Sequence, residues 1–344
     1  MYFLSQNKEY EAKAKIYRDN DADINIIKNK LVAIIGYGNQ GRAQAMNLRD
    51  SGIKVIIGNV NDEYKEKALK DKFEVFSISD ASNKADIIMM LIPDEIQADI
   101  FNNEILPNLK KGKVLEFATG YNITYKDVTG INPPEYIDII MVAPRMIGLG
   151  VRETYISGEG YYSFIAIEQD ASGNAKKILL ALAKALGTTK KGAIETTFAE
   201  EAHLDLFTEQ AFGPALGNVL RTSVQVLLDA GYPPEAIFVE LYMSGELSFT
   251  LKEIGEIGLI EQMDFHSQTS QYGSLTRGVR YFNPTIEESM KKSLNEIQSG
   301  KFAREWAKKQ KSERDPTASL KKVAKTMPFT IIEKKVREKL KKFK

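Results

Sequence analysis

Short apolar runs separated by glycine and polar turns fill the first half of the chain. Leu31–Ile35 (LVAII) and Lys54–Gly58 (KVIIG) read as strands, as do residues 86–92, 113–117, 137–142 and 162–167. Residues 86–92 (DIIMMLI) are apolar almost throughout, as expected of a parallel strand covered on both faces. Helical stretches lie between these runs: residues 42–51 after the first, a helix through Gln97 after the third, and residues 171–186 after the last. This alternation predicts an α/β fold with a doubly wound sheet over residues 1–195. Residues 1–30 are polar and charged and read as a lead-in. From about Thr196 a helical period takes over, through residues 198–230, then 234–254, then shorter segments. Gly231-Tyr232-Pro233-Pro234 breaks the first two. Residues 196–344 therefore read as a second, mostly α-helical domain.

Composition narrows the chemistry. The 344 residues carry 47 basic and 46 acidic side chains, so net charge gives no reason to expect nucleic acid as a partner. No cysteine is present, which removes disulfides and thiolate catalysis. No stretch is long and apolar enough to span a membrane, and no secretory leader is evident, so a cytoplasmic protein is expected. The basic run at residues 334–344 reads as a solvated helix face.

Three sets of residues can carry chemistry. The first is Gly36-Tyr37-Gly38-Asn39-Gln40-Gly41, a glycine turn between the first strand and its helix. There the first glycine makes the turn, the second lets backbone N–H groups approach a pyrophosphate, and the third lets helix and strand pack. A nicotinamide or flavin dinucleotide is the expected ligand. The second set is Asp205 and Glu209, four apart on a helix and so on one face. Hard oxygen donors suit Mg²⁺, whereas the spacing alone favours a solvated acidic face. The third is the set of turns after the strands: residues 93–97, 117–120 and 143–146, where open parallel sheets bind ligands. Glu240 and Glu246 are six apart and would not share a face of an unbroken helix. Ser267 lies in a polar stretch that could face a ligand or simply turn the chain. His203 and His266 are not spaced as a zinc pair, and His203 reads as an exposed helix residue.

In this order, KAKIYRDNDADINIIKNKLVAIIGYGNQG, LIPDEIQ, IMVAP, IETTF, DLFTEQ, LLDAGYPPE, SQTSQYG and EIQSGKFAREW resemble the short, class I ketol-acid reductoisomerases over nearly the whole chain. The resemblance implies a Rossmann domain followed by a knotted helical domain, and a homodimer or higher homo-oligomer. It implies Mg²⁺-dependent alkyl migration and NAD(P)H reduction of 2-acetolactate or 2-aceto-2-hydroxybutyrate, in branched-chain amino-acid synthesis. By position, Asp205 and Glu209 match metal ligands. Glu240 matches an acid supplied by the partner subunit, and either Ser244 or Glu246 fills the fourth acidic place. Ser267 matches a substrate contact. Tyr37 to Gln40, Asp94, Gln97 and Gly148 match cofactor contacts.

The departures are specific. Thr119 stands where the family pattern has histidine, Arg145 where it has lysine, and Arg42 ends the glycine signature in place of histidine. After the second strand the family's Arg and Ser residues give way to Asn59-Val60-Asn61-Asp62-Glu63-Tyr64. Two acids there disfavour a 2′-phosphate and suit ribose hydroxyls, so NADP or NAD is expected, with either a weak NADP preference or a preference for NAD, and Lys65 and Lys67 argue for NADP. Three functions are open on the sequence: a working reductoisomerase with Thr119 and Arg145 in its active site, a 2-keto acid reductase without the alkyl shift, or a silent dinucleotide-binding paralogue.

Overall fold

The computed structural model describes residues 11–313 and 315–341. The chain divides into two compact units, Met1–Leu204 and Asp205–Lys344. The first is built on a nine-stranded sheet. In chain order its strands are β1 (Ile16–Tyr17), β2 (Leu31–Ile35), β3 (Lys54–Gly58), β4 (Glu74–Phe76), β5 (Ile87–Met90), β6 (Val114–Phe117), β7 (Asp138–Pro144), β8 (Tyr162–Gln169) and β9 (Gly192–Glu195). Across the sheet they run β1-β9-β8-β7-β6-β5-β2-β3-β4. The β1–β9 and β7–β8 pairs are antiparallel and the rest parallel.

Alternation along each strand builds two cores. On β2, Val32 and Ile34 join Ala45 and Leu48 of the helix Asn39–Asp50 and the apolar stripe of the helix Ala175–Leu186. Ala33 and Ile35 point the other way, toward the cluster of Ile78, Ala81, Phe101 and Ile105. Each fully buried valine, leucine, isoleucine or phenylalanine among these contributes about 1.5–3 kcal/mol of apolar transfer. The strand order reverses between β2 and its neighbours β3 and β5, and the glycine turn leaves β2 at that switch point.

Some expectations change. The lead-in is not a passive tail: β1 pairs with β9, and Tyr17 and Ile27 are buried. Residues 1–10 of it lie outside the described residues. The helix expected from residue 171 begins at Ala175, because Asp170 Oδ1 accepts the Ala175 N–H and holds the preceding residues as a turn.

The second unit is helical. Phe198–Phe207 leads into a π-turn at Thr208–Phe212 and then Gly213–Asp229. The helix expected over 234–254 is not continuous. Pro234–Phe238 passes into a second π-turn, Val239–Met243, and Gly245 at φ +96° breaks the backbone before Glu246–Ile257 begins. Further helices are Gln268–Arg277, Pro284–Gln298, Lys301–Ser312, Pro316–Lys325 and Pro328–Lys341. In the last, Arg337 pairs with Glu333 and Lys334 with Glu338, so residues 334–341 of the basic run form a largely exposed helix face, while residues 342–344 lie outside the described residues. Among the described residues, no helix is long and apolar enough to cross a membrane.

Candidate active site

The glycine turn holds its shape because two of its glycines have no room for a side chain. Gly36 has φ +91°, and a Cβ there would sit 2.9 Å from the Leu91 carbonyl oxygen. A Cβ on Gly41 would lie 2.0 Å from the Gly36 oxygen. Gly38 differs: nothing lies within 4 Å of where its Cβ would be. It is also the N-cap of Asn39–Asp50, and no side chain caps that helix. The open side of Gly38 and the uncapped N–H groups beside it fit a pyrophosphate.

The surrounding residues brace this cradle. The Tyr37 N–H donates to Asn59 Oδ1 at 3.1 Å, and its hydroxyl donates to Asp71. Arg42 also grips Asp71, at 2.7 Å, and holds its carboxyl below the usual range. Gln40 Nε2 donates to the Met146 carbonyl, and Gly148 lies so close that a Cβ there would meet Asn39 O at 2.3 Å. Asp94 opens the helix Asp94–Ile100; its Oδ1 accepts from Gln97 Nε2 and from buried Asn122 Nδ2, both at 3.1 Å.

After β3, Asn59 Nδ2 donates to Asp62 Oδ1 at 2.8 Å, and Asp62 caps the helix Glu63–Lys70 through the Tyr64 and Lys65 N–H groups. The two nearby lysines are both engaged. Lys67 pairs with Glu63 at 3.2 Å, and Lys65 reaches the Asn61 amide oxygen.

Thr119 and Arg145 follow β6 and β7. The Thr119 hydroxyl oxygen accepts the Tyr121 N–H at 3.2 Å. Arg145 donates to Glu201 Oε1 at 2.7 Å, and its guanidinium lies over Phe164. Glu201 Oε2 accepts the Gly120 N–H at 2.5 Å. One fully buried carboxylate thus joins the turn after β6 to the turn after β7. Sequence reasoning missed Glu201. The signal was present: Thr197 and Glu200 form a capping box that fixes the helix start. That start puts Glu201, Asp205 and Glu209 at four-residue intervals. Asp71 and Asn122 were missed as well, being ordinary polar residues in sequence.

His203 is not the exposed residue expected. It is half-buried with its ring tilted against Tyr125, and burial lowers its pKa.

In the second unit Glu209 is raised above the usual carboxyl range by burial and then by the negative charge of Asp205. Two carboxylates that repel each other fit a divalent cation, which would relieve both terms. Glu209 and Glu240 each lie in a π-turn, a geometry that periodicity cannot announce. Glu240, Ser244 and Glu246 are exposed, with Glu240 and Glu246 on separate helical segments. Among the described residues, no three metal-binding side chains converge, so one chain does not gather the four acids. Ser267 is the N-cap of Gln268–Arg277, its hydroxyl accepting the Ser270 N–H.

Comparison with known proteins agrees over most of the chain. Residues 26–192 match the family described as acetohydroxy acid isomeroreductase, NADPH-binding domain, and residues 198–342 the ketol-acid reductoisomerase C-terminal domain. A ketol-acid reductoisomerase (NADP(+)) of Pyrobaculum calidifontis is 41% identical over 327 residues, covering 94% of this chain and 98% of that protein. The same enzyme of Pyrococcus abyssi is 43% identical over 297 residues, covering 86% and 88%. The solved structure of an NADH-preferring ketol-acid reductoisomerase from an uncultured archean has a TM-score of 0.88 at 36% identity, covering 94% of this chain and 98% of that one. With a dinucleotide domain and a helical domain each matched in full order, the chain belongs to the ketol-acid reductoisomerase family.

Proposed function

We propose that the chain converts 2-acetolactate and 2-aceto-2-hydroxybutyrate to dihydroxy acids by Mg²⁺-dependent alkyl migration and reduction, using NADH in preference to NADPH. The observation that carries this is the Asp205/Glu209 pair, two repelling carboxylates on adjacent turns, in a chain matched to the family through both domains. These two would hold Mg²⁺, with Glu240, and Ser244 or Glu246, completing the set from a second copy. Bound Mg²⁺ would polarise the ketone and hydroxyl oxygens and lower the barrier to migration. The nicotinamide, held by the Gly36–Gly41 turn with Asp94, Gln97 and Gly148, would supply hydride.

The chain's own residues then position rather than titrate. Arg145 cannot release a proton near neutral pH, and Glu201 offsets its charge. It therefore binds substrate oxygen through N–H groups held in a fixed plane. Thr119 donates one hydroxyl hydrogen bond, its oxygen already accepting from Tyr121. Ser267 would contact substrate from the helix start it caps.

Three features support NADH. Asp62 keeps a negative charge at the ribose end of the pocket, Lys67 is neutralised by Glu63, and the loop has no arginine. A homodimer or larger homo-oligomer is supported by the second unit's apolar surface, where Phe265 is 67%, Leu320 70% and Tyr281 80% exposed.

Purified protein, Mg²⁺ and each nicotinamide cofactor are incubated with 2-acetolactate or with the rearranged 3-hydroxy-2-keto acid. Turnover of both substrates is expected. Turnover of the rearranged acid alone would leave only a reductase, and turnover of neither would refute the proposal. Calorimetry with NADH and NADPH tests the cofactor; clearly tighter NADPH binding overturns that part.

A further inference from the structure

Glu116 has no part in the mechanism above, yet it sits beneath the active turns. It is the third residue of the four in β6, fully buried, on the face of the sheet that Val114 shares. Its Oε1 accepts the Val142 N–H at 3.1 Å. Its Oε2 has no partner among the described residues.

The place of that hydrogen bond is informative. The Asp138 N–H donates to the Lys113 carbonyl, so the even-numbered residues of β7 direct their N–H groups toward β6. The β6–β7 register ends at Phe117 and Met141. Val142 is therefore the last residue of β7 whose N–H points toward β6, at the end of the ladder. The Glu116 carboxyl accepts that same N–H and so adds a side-chain tie between β6 and β7 at the ladder's end. Three residues beyond Glu116 is Thr119, and three beyond Val142 is Arg145. Above them Glu201 ties Gly120 to Arg145. Two buried carboxyls thus clamp the same pair of turns, one within the sheet and one from a helix.

An apolar side chain would spare the protein an unpaired buried oxygen and the cost of its desolvation. We propose that Glu116 is a positioning residue for the reaction, fixing the Thr119 turn against the Arg145 turn through the Val142 N–H. The working form is the neutral acid, because no cation faces it among the described residues. Burial pushes its carboxyl up to about 8, offset only in part by the Val142 bond. The titratable group whose proton affinity it affects is Tyr161, whose hydroxyl donates to the Leu186 carbonyl and which burial keeps protonated.

The test compares Glu116→Gln, which keeps an acceptor for Val142, with Glu116→Met, which fills the space without one. Both are assayed as the full chain with Mg²⁺, dinucleotide and 2-acetolactate. Glu116→Met should lower kcat by roughly tenfold or more while the KM for dinucleotide stays within about twofold, as expected of misplaced groups rather than lost binding. Glu116→Gln should keep kcat within about twofold at pH 7, and should lack the parent's loss of kcat above about pH 8. Amide exchange read independently of turnover should rise in segments 117–121 and 142–146 of Glu116→Met and not of Glu116→Gln. This readout separates the clamp from the function proposed above, which fails if the parent turns over nothing. Parent-like kcat and exchange in Glu116→Met would overturn the clamp, as would a Glu116→Gln loss equal to that of Glu116→Met.

Discussion

Glu116 also makes the stability of the first unit depend on pH, in a direction opposite to ordinary acid denaturation. Its folded carboxyl titrates at about 8 against an ordinary value of 4.5, because burial opposes the charge. The folded state therefore binds the proton more tightly than the unfolded chain. Stability from this group is complete below about pH 4.5, falls as pH rises, and levels off above about pH 8. At about 1.4 kcal/mol per pH unit the full loss is on the order of 5 kcal/mol, an upper figure for a group that water can reach on local opening. Glu116→Gln removes the titration and keeps the Val142 acceptor. At pH 5 the variant should equal the parent or be slightly less stable, since the amide brings two buried donors. At pH 8 it should be more stable by several kcal/mol. Urea unfolding followed by far-UV circular dichroism at pH 5, 6, 7 and 8, without metal or cofactor, reads the difference. Infrared difference spectra at pH 6 should contain the stretch of a protonated carboxylic acid that the variant lacks. Parallel pH curves for the two proteins, with no such band, would refute the reasoning.

Gly41→Ala should fold poorly, because its methyl would lie 2.0 Å from Gly36 O, whereas Gly38→Ala should keep parent stability and weaken dinucleotide binding by roughly tenfold or more. Thermal melts and calorimetry separate the two; unchanged binding in Gly38→Ala would deny the cradle. Asp62→Ser keeps an N-cap but drops a negative charge, so the ratio of NADPH to NADH affinity should rise by roughly tenfold, read by calorimetry. Asp205→Asn should let Glu209 titrate lower, since Asp205 is one of the two groups of effects that raise it, and should abolish Mg²⁺-dependent turnover. Carboxyl titration by NMR and the rate with 2-acetolactate check both halves.

How far the sequence could be read depended on what each element buries. Leu31–Ile35 and Lys54–Gly58 were legible to the residue, because β-branched runs inside a parallel sheet have few other uses. β4 is three residues, Glu-Val-Phe, too short for alternation to register. β1 is a two-residue edge strand and β9 a short strand beside it, and their pairing is long-range, between Ile16 and Ile194. The π-turns left no trace either, since one extra residue shifts the helical phase without changing composition. The candidate site divides in the same way. The glycine turn has a steric code and was readable. Glu201 does not: it follows Glu200 in sequence, yet Glu200 caps the helix at the surface while Glu201 is fully buried.

In the proposed site the departures at Thr119 and Arg145 act together. A histidine and a lysine can exchange protons or shift charge in the neutral range; a threonine and an arginine paired to a carboxylate cannot. What remains is a frame of fixed donors: the Thr119 hydroxyl and a guanidinium held by Glu201 and stacked on Phe164. A frame of this kind acts through placement, and placement is sensitive to small displacements of the supporting strands. That dependence gives a physical reason for two buried carboxyls, Glu116 and Glu201, to join β6 and β7 at their carboxyl ends, where an apolar core would have been the more stable choice.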